Sequence, residues 1–331
     1  MQYVSFGRTG MQVSRFCLGG MMFSRKLDLD QSRQVVDEAL DQGVNFIDTA
    51  ESYGDSEEFL GNILASRRDK VYLATKVYTK RATDGRCGRN SRVNIINSLE
   101  RSLKLLQTDY IDLYQLHHPD TETPPEETLS TLDLIIRQGK VRYVGVTNHY
   151  AWQMAAMIGQ AKLHGFAPIV SIQCSYSIVD RPAEMETVPM AQRFNLALMA
   201  YYPLRAGVLT GKYKSPTDIP ADSRAQQDPK VQRLLKHPKL FDVLDAVKTV
   251  GEKHQLKMNQ VAMLWLLSKP WVTTPILGGS HPDHFRDTYA IAGRALPPED
   301  LQRIDEVSHD FVYKPFVNQP VEAGPSLTEQ W

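Results

Sequence analysis

Two patterns of apolar residues alternate along this chain. Short continuous apolar runs are separated by longer stretches in which apolar positions recur every three or four residues. The first pattern reads as buried strand and the second as amphipathic helix. Eight runs are found, at residues 15–18, 44–47, 71–75, 110–116, 141–146, 169–174, 196–200 and 272–277. A helix predicted around 31–40 stops at Gly43, and another starts at Asp55, with Glu58 placed to complete a capping box. A third starts near Ser91 and carries Ile95, Ile96, Leu99, Leu103 and Leu106. The segment Thr123-Pro124-Pro125-Glu126 reads as a cap, a first-turn proline and a glutamate at the third position. Ahead of the alternation, residues 3–6 and 11–14 flank Gly7-Arg8-Thr9-Gly10, a hairpin signal.

Eight strand–helix units with near-continuous apolar strands predict a parallel sheet covered by helices, and eight is the number that closes a (β/α)8 TIM barrel. A doubly wound open sheet is the alternative. It would bind a dinucleotide through a G-x-G-x-x-G turn, which this sequence lacks. The expectation is therefore one α/β barrel domain over residues 1–331, with an N-terminal β-hairpin, a core at about 15–293 and a C-terminal tail at about 309–331. Two segments stand outside the alternation: a polar stretch at 204–230, and the tail, with Pro315, Pro320 and Pro325 among aromatics.

Composition narrows the partners. Lys+Arg and Asp+Glu both number 38, so the net charge is zero and nothing calls for nucleic acid or an anionic membrane. No apolar run approaches the length of a membrane span. The segment MQYVSFGRTG has no basic-then-apolar leader, and three scattered cysteines, Cys17, Cys87 and Cys174, suit a reducing compartment; a cytoplasmic location is expected. A homo-oligomer is left open.

Barrel chemistry gathers at the C-terminal ends of the strands. There the runs end in Asp48, Lys76, His117, Thr147-Asn148, Gln173, Tyr201-Tyr202 and Gly278-Gly279-Ser280, with Tyr53 on the loop after Asp48. Singly, each has an ordinary structural explanation: a turn cap, a solvated strand end, a hydrogen-bonded loop histidine. Together, Asp, Lys, His and Tyr from three adjacent units converge on one mouth. The chemistry they suit is proton transfer by a phenol. A free tyrosine is a poor acid at neutral pH, and an ammonium such as Lys76 would favour phenolate and lower its pKa. Asp48 would be the counter-ion of that lysine, and His117 would bond the substrate oxygen. No side chain delivers a hydride, so a cofactor must. A metal-dependent hydrolase has only His117-His118 and His281-x-x-His284 in its favour, without HExxH or a cysteine pair, and no metal is expected.

The segments GVNFIDTAESYGDSEEFLG (43–61), VYLATK (71–76), DYIDLYQLHHPD (109–120), GKVRYVGVTN (139–148), IVSIQCSYSIVDR (169–181), AYYPLRAGVLTGKY (200–213) and PILGGSHPDHF (275–285) resemble, in order and spacing, the aldo-keto reductases. The resemblance implies an eight-stranded barrel and NADPH-dependent reduction of an aldehyde, ketone or aldose carbonyl, with the proton from Tyr53. Asp48, Lys76 and His117 match the rest of the family's catalytic tetrad. Thr147, Asn148 and Gln173 match positions near the nicotinamide carboxamide, and Tyr201 the aromatic stacked on the ring. Pro203, Leu204, Gly207 and Lys212 fall in the loop over the pyrophosphate, with Tyr202 just ahead of them a cofactor-side candidate that can also reach the substrate, and Arg224 matches a loop arginine near the adenosine phosphate. Gly278, Gly279, Ser280, His284, Asp287 and Thr288 occupy adenosine-side positions. Some relatives carry an arginine or lysine where this chain has Ser280, so NADH use is left open beside NADPH.

The same family includes potassium-channel beta subunits, so a cofactor-binding regulatory module is the alternative. Those subunits, by resemblance, carry Asn where this chain has His117. For the substrate pocket, Met21, Phe23, Tyr150, Trp152 and Tyr202 are candidate walls, with Trp152 alternatively core. Lys80, Arg81, Arg86 and Arg89, in a loop at 78–90, read either as a solvated surface or as a preference for anionic carbonyl compounds. Phe311, Tyr313 and Phe316 either cover the mouth or pack on the barrel wall.

Overall fold

The predicted strands close into a ring. The computed structural model describes residues 1–77, 88–221 and 223–312. Among these, β1 (Tyr3–Ser5) pairs antiparallel with β2 (Gln12–Ser14) as the hairpin. Eight parallel strands follow: β3 (Cys17–Gly19), β4 (Phe46–Asp48), β5 (Tyr72–Val77), β6 (Ile111–Leu116), β7 (Val141–Thr147), β8 (Ile169–Ser175), β9 (Ala197–Tyr201) and β10 (Thr274–Leu277). They pair in sequence order, and β10 pairs with β3 through Ile276 with Cys17 and Leu277 with Leu18, which closes the barrel.

Each of the eight apolar runs holds a strand. The first strand begins later than predicted because Arg15 is not part of it. Its guanidinium donates to the carbonyls of Leu267 (2.7 Å), Thr273 (2.8 Å) and Val272, tying the base of β3 to the segment that leads into β10.

The helices sheath the barrel. They are α1 (Leu29–Asp41), α2 (Ser56–Leu64), α3 (Arg92–Leu105), α4 (Pro125–Arg137), α5 (Ala151–His164) and α6 (Thr187–Arg193). After β9 come α7 (Pro229–Leu235), α8 (Leu240–His254) and α9 (Met258–Leu267), and after β10 come α10 (Asp283–Tyr289) and α11 (Pro298–Val307). The α11 helix, beyond the expected end of the core, is fixed to α8 by Asp300, which takes Lys253 (2.9 Å) and His254 (2.6 Å). No helix among the described residues is long and apolar enough to cross a membrane.

Two predicted caps are not formed. Asp55 precedes α2 without a side-chain cap bond; its backbone N–H instead donates to Ser24 Oγ at 2.9 Å. The capping box is one helix earlier, where Asp28 accepts from the Gln31 amide and Gln31 returns a bond to the Asp28 amide. The fourth helix starts at Pro125 with Pro124 at the cap, one residue later than the Thr123 reading. The Ser91 cap is present, accepting from Asn94 N.

The core has two parts. The larger lies between the strands' outer faces and the helices. The smaller fills the barrel from below: Phe6, Met11 and Val13 of the hairpin meet Cys17, Phe46, Ala74, Leu113, Ala197 and Met199. Phe6 and Phe46 contact edge to face, centroids 5.3 Å apart. The hairpin is thus a plug in the barrel floor, and the opposite end is left for chemistry.

Cys17 and Cys174 are free thiols, and Cys87 lies outside the described residues. So do Lys80, Arg81, Arg86, Tyr313 and Phe316. Arg89 is described, and pairs with Glu122 (2.7 Å) and Asp120 (3.8 Å). Phe311 is buried against the His237 ring (centroids 4.4 Å), so it packs rather than covering an opening.

Candidate active site

Strand residues two apart share a face, so the layer just above the plug can be read directly. Two residues beyond Phe46, Ala74, Leu113 and Met199 stand Asp48, Lys76, Gln115 and Tyr201; Gln173 of β8 pairs in register with Met199 and joins them. An apolar floor thus passes into a polar layer within one step of the pleat.

Lys76 is fully buried. Its Nζ donates to Asp48 Oδ2 (2.5 Å) and the Thr49 carbonyl (2.8 Å), and stands 3.5 Å from the Tyr53 hydroxyl. The other Asp48 oxygen accepts from Gln115 Nε2 (3.0 Å) and Gln173 Nε2 (2.9 Å). Such a pair survives burial because its remaining hydrogen-bonding positions are filled. Burial disfavours the Lys76 ammonium, yet Asp48 and Tyr53 outweigh it and hold its pKa above the ordinary lysine value.

The expected lowering of the Tyr53 pKa is not the net result. Burial raises it, and although Lys76 pulls the other way, Asp48 and Tyr202 add to the rise, so the phenol lies above its ordinary value. Tyr53 therefore holds its proton at neutral pH, as a proton donor must before reaction. His117 lies edge-on to Tyr53, ring centroids 5.7 Å apart, with Nδ1 3.4 Å from Ser52 Oγ. Burial, then Lys76 and His118, push its pKa down to about 3, so its imidazole is neutral.

The next strand ends are tied together. Asn148 has a left-handed φ of 63°; its amide donates to the His117 carbonyl (3.0 Å) and its Oδ1 accepts from Tyr201 OH (2.6 Å). Left-handed backbone is uncommon outside glycine and tends to mark functional turns. Beside it the buried Thr147 hydroxyl has no protein partner among the described residues. Such a group is expected to have one, which a bound ligand can supply.

After β9 the chain turns through a run of left-handed residues, Tyr202, Arg205, Ala206 and Gly207. Pro203 is buried and Leu204 packs partly on the core. Lys212 Nζ lies close over Gly207, where a Cβ would come within 2.8 Å of it, and the glycine's φ of 87° is the backbone that calls for glycine there. In the 278–288 segment, burial, then His281 and Lys212, hold the His284 pKa below its ordinary value. There Gly278 and Ser280 are exposed, and Gly279 is closely covered by His284 and Phe285. Asp287 directs its carboxylate to Lys257 (2.7 Å), and Thr288 is buried. Arg224 is exposed, its guanidinium 5.7 Å from the Tyr202 ring centre.

The suggested pocket walls divide. Met21 is partly exposed, but Phe23 is wholly inside the main core and cannot line an opening. Tyr150 and Trp152 are about half exposed, 52% and 58%, so Trp152 is not core. Sequence reasoning missed Gln115 and Ser52. Gln115 had a signal, as an uncharged polar residue inside the apolar run 110–116 with His117 two positions on. Among the described residues no three His, Cys, Asp or Glu side chains are grouped to hold a metal ion.

Comparison with known proteins identifies the family. The model of the Aldo/keto reductase family matches residues 15–309. An uncharacterised oxidoreductase of Bacillus subtilis (strain 168), YrpG, is 36% identical over 93% of this chain and 96% of its own length. The aldo-keto reductase YhdN of the same organism is 32% identical over 99% of this chain and 100% of its own. A probable voltage-gated potassium channel subunit beta of Oryza sativa subsp. japonica is 32% identical over 93% of this chain and 96% of its own. The chain belongs to the aldo/keto reductase family.

Proposed function

We propose that this protein is a cytoplasmic NADPH-dependent reductase that converts a small aldehyde, ketone or aldose to the alcohol. The observation that carries the reading is the Tyr53–Lys76–Asp48 arrangement, with a phenol 3.5 Å from a fully buried ammonium. Bound reduced nicotinamide supplies the hydride, and it is the same whichever carbonyl is taken. Tyr53 gives its proton to the carbonyl oxygen as negative charge develops there, and the neutral His117 donates a hydrogen bond to that oxygen. The phenolate left on Tyr53 is stabilised by Lys76, whose charge Asp48 maintains. One hydride on carbon and one proton on oxygen make the alcohol, and solvent restores the phenol.

The donor set suits an anionic dinucleotide. Thr147 has a spare hydroxyl, and Gln173 donates to Asp48 and leaves its carbonyl oxygen to meet an amide. Lys212 over Gly207, with Arg224 nearby, suits phosphate oxygens. Because Arg224 supplies charge where Ser280 does not, NADPH is favoured over NADH.

The test is loss of reduced-nicotinamide absorbance with a panel of aldehydes, ketones and aldoses. Tyr53→Phe should lower kcat/KM by about a hundredfold or more on every accepted substrate. Wild-type turnover by that variant would sink the reading. Similarity to the rice channel subunit favours a second one, a regulatory module; its mark would be tight NADPH binding, no turnover, and recovery of one stoichiometric membrane partner.

A further inference from the structure

The proposed reading leaves the substrate class open, and one side chain at the mouth bears on it. Arg25 lies in the turn after β3, which is fixed to the loop that carries Tyr53. Ser56 Oγ bonds the Gly20 carbonyl (2.9 Å), and Ser24 Oγ accepts from the Asp55 amide (2.9 Å). A Cβ on Gly54 would approach Ser24 Oγ to 2.7 Å, so the two loops touch closely. Inside the turn, the amides of Arg25, Lys26 and Leu27 all point to the Met22 carbonyl.

On this frame Arg25 Nη2 donates to the Ser52 carbonyl (2.7 Å), and the guanidinium carbon stands 5.6 Å from the centre of the Tyr53 ring. Ser52 is the same residue whose hydroxyl meets His117. A single residue therefore places Arg25 relative to both groups that would address the carbonyl oxygen. Other arginines end on carboxylates: Arg68 on Asp112, Arg181 on Glu184, Arg205 on Asp180. Arg25 is exposed and has no carboxylate partner among the described residues. One hydrogen bond uses one arm of its fork. The remaining donors match the spacing of carboxylate or phosphate oxygens. Glu51, next to Ser52 on the same loop, is directed to Arg101.

We propose that Arg25 recognises the substrate, and that the protein selects small carbonyl compounds carrying a carboxylate or phosphate a few bonds from the reacting carbon. The proposal rests on Tyr53 being the proton donor. It differs from an anion preference read from the basic loop at 78–90, because the group doing the work is in the turn after β3, beside Tyr53. A distant anionic group held there fixes the carbonyl against the phenol, and binding energy away from the reacting atoms then orients the substrate.

The experiment compares 4-carboxybenzaldehyde with 4-methylbenzaldehyde, and glyceraldehyde 3-phosphate with glyceraldehyde, in wild type, Arg25→Gln, Arg25→Lys and Arg25→Glu. The readout is the anionic-to-neutral ratio of kcat/KM. Arg25→Gln should lower that ratio about tenfold or more, chiefly through KM. Arg25→Lys should recover only part of it, since a point charge replaces the fork, and Arg25→Glu should lower it further. The carboxylate and phosphate pairs separate the two anion chemistries. A ratio unmoved by Arg25→Gln and Arg25→Glu overturns the proposal, as does an equal fall for both members of each pair, which would mark a purely structural arginine. Calorimetric binding of 4-(hydroxymethyl)benzoate, against 4-methylbenzyl alcohol, with no oxidised nicotinamide present to turn either alcohol over, reads the same preference without turnover. Arg25-dependent binding of the benzoate with no reduction of any aldehyde would sink the reductase reading and keep the anion site. Reduction of neutral aldehydes with no Arg25-dependent preference would do the reverse.

Discussion

At the residue scale, the site depends on groups whose charge is set by what surrounds them. Two histidines near the mouth are held neutral. Burial, Lys76 and His118 bring His117 down to about 3; burial brings His149 to about 4, although the Thr147 carbonyl, which accepts from its Nδ1, favours the charged form. Both folded values lie below the ordinary 6.5, so the unfolded chain binds more protons over that interval. Their stabilisation is complete above about pH 6.5 and declines as pH falls toward the folded values. Between about pH 6.5 and pH 5 the loss should be on the order of 2 kcal/mol per histidine. Urea midpoints measured across that range should fall steadily, and His149→Gln should make the slope shallower. An unchanged slope in that variant would show that other groups dominate. The positions of Asp48, Lys76 and His117 were legible because each is a polar residue ending an apolar run. The net direction of the Tyr53 pKa was not, because it depends on how burial balances one ammonium against one carboxylate and a second phenol.

At the scale of elements, α2 packs tightly against the C-terminal end of α3 at Gly61. A Cβ on Gly61 would meet the Leu105 carbonyl oxygen at 2.1 Å, which is backbone and cannot swing away. Gly61→Ala should therefore destabilise the fold by about 1–3 kcal/mol despite alanine's better helix propensity. The check is the urea midpoint, with Gly159→Ala, where an added methyl meets nothing, as the contrasting variant. Strands were easier to read than helix starts. A continuous apolar run has one use in a covered parallel sheet, so all eight were legible. A cap depends on which partner wins a single amide. Asp55 had the right sequence for a box, but Ser24, from another loop, takes its N–H. In the turn at 20–27 the sequence singled out Met21 and Phe23, and nothing local announced that Arg25 would lie against the Tyr53 ring.

For the whole molecule, the barrel separates its two ends by purpose. The hairpin plugs the floor with Phe6, Met11 and Val13, while the polar layer lies two residues further along β4, β5, β6 and β9. Phe6→Ala should cost about 3–5 kcal/mol through loss of a wholly buried ring. Denaturant midpoints would report that loss. With the folded protein, KM values should stay near wild type, because the plug's side chains belong to the apolar layer below the polar one, where only Tyr201 of the named mouth residues packs against their cluster. A shift in KM larger than the shift seen for Gly61→Ala would mean that the floor and the mouth are coupled. The eightfold architecture was legible from counting alternations. The plug was not, because a short hairpin says nothing in sequence about which cavity its side chains enter.

The ring is completed where Ile276 and Leu277 meet Cys17 and Leu18, the most distant segments that pair within the barrel. During synthesis this has an order built into it. The first barrel strand leaves the ribosome with one edge satisfied by its successor and the other bare, and remains so until nearly the whole ring has been made. A bare parallel edge is a template for pairing with another chain. Ring closure must also bear the loop entropy of that long separation, so it should come late and slowly. The nascent chain is therefore most exposed to misassembly just before β10 emerges, and chaperone dependence should peak for chains arrested short of residue 277 and drop once the last strand is free to dock.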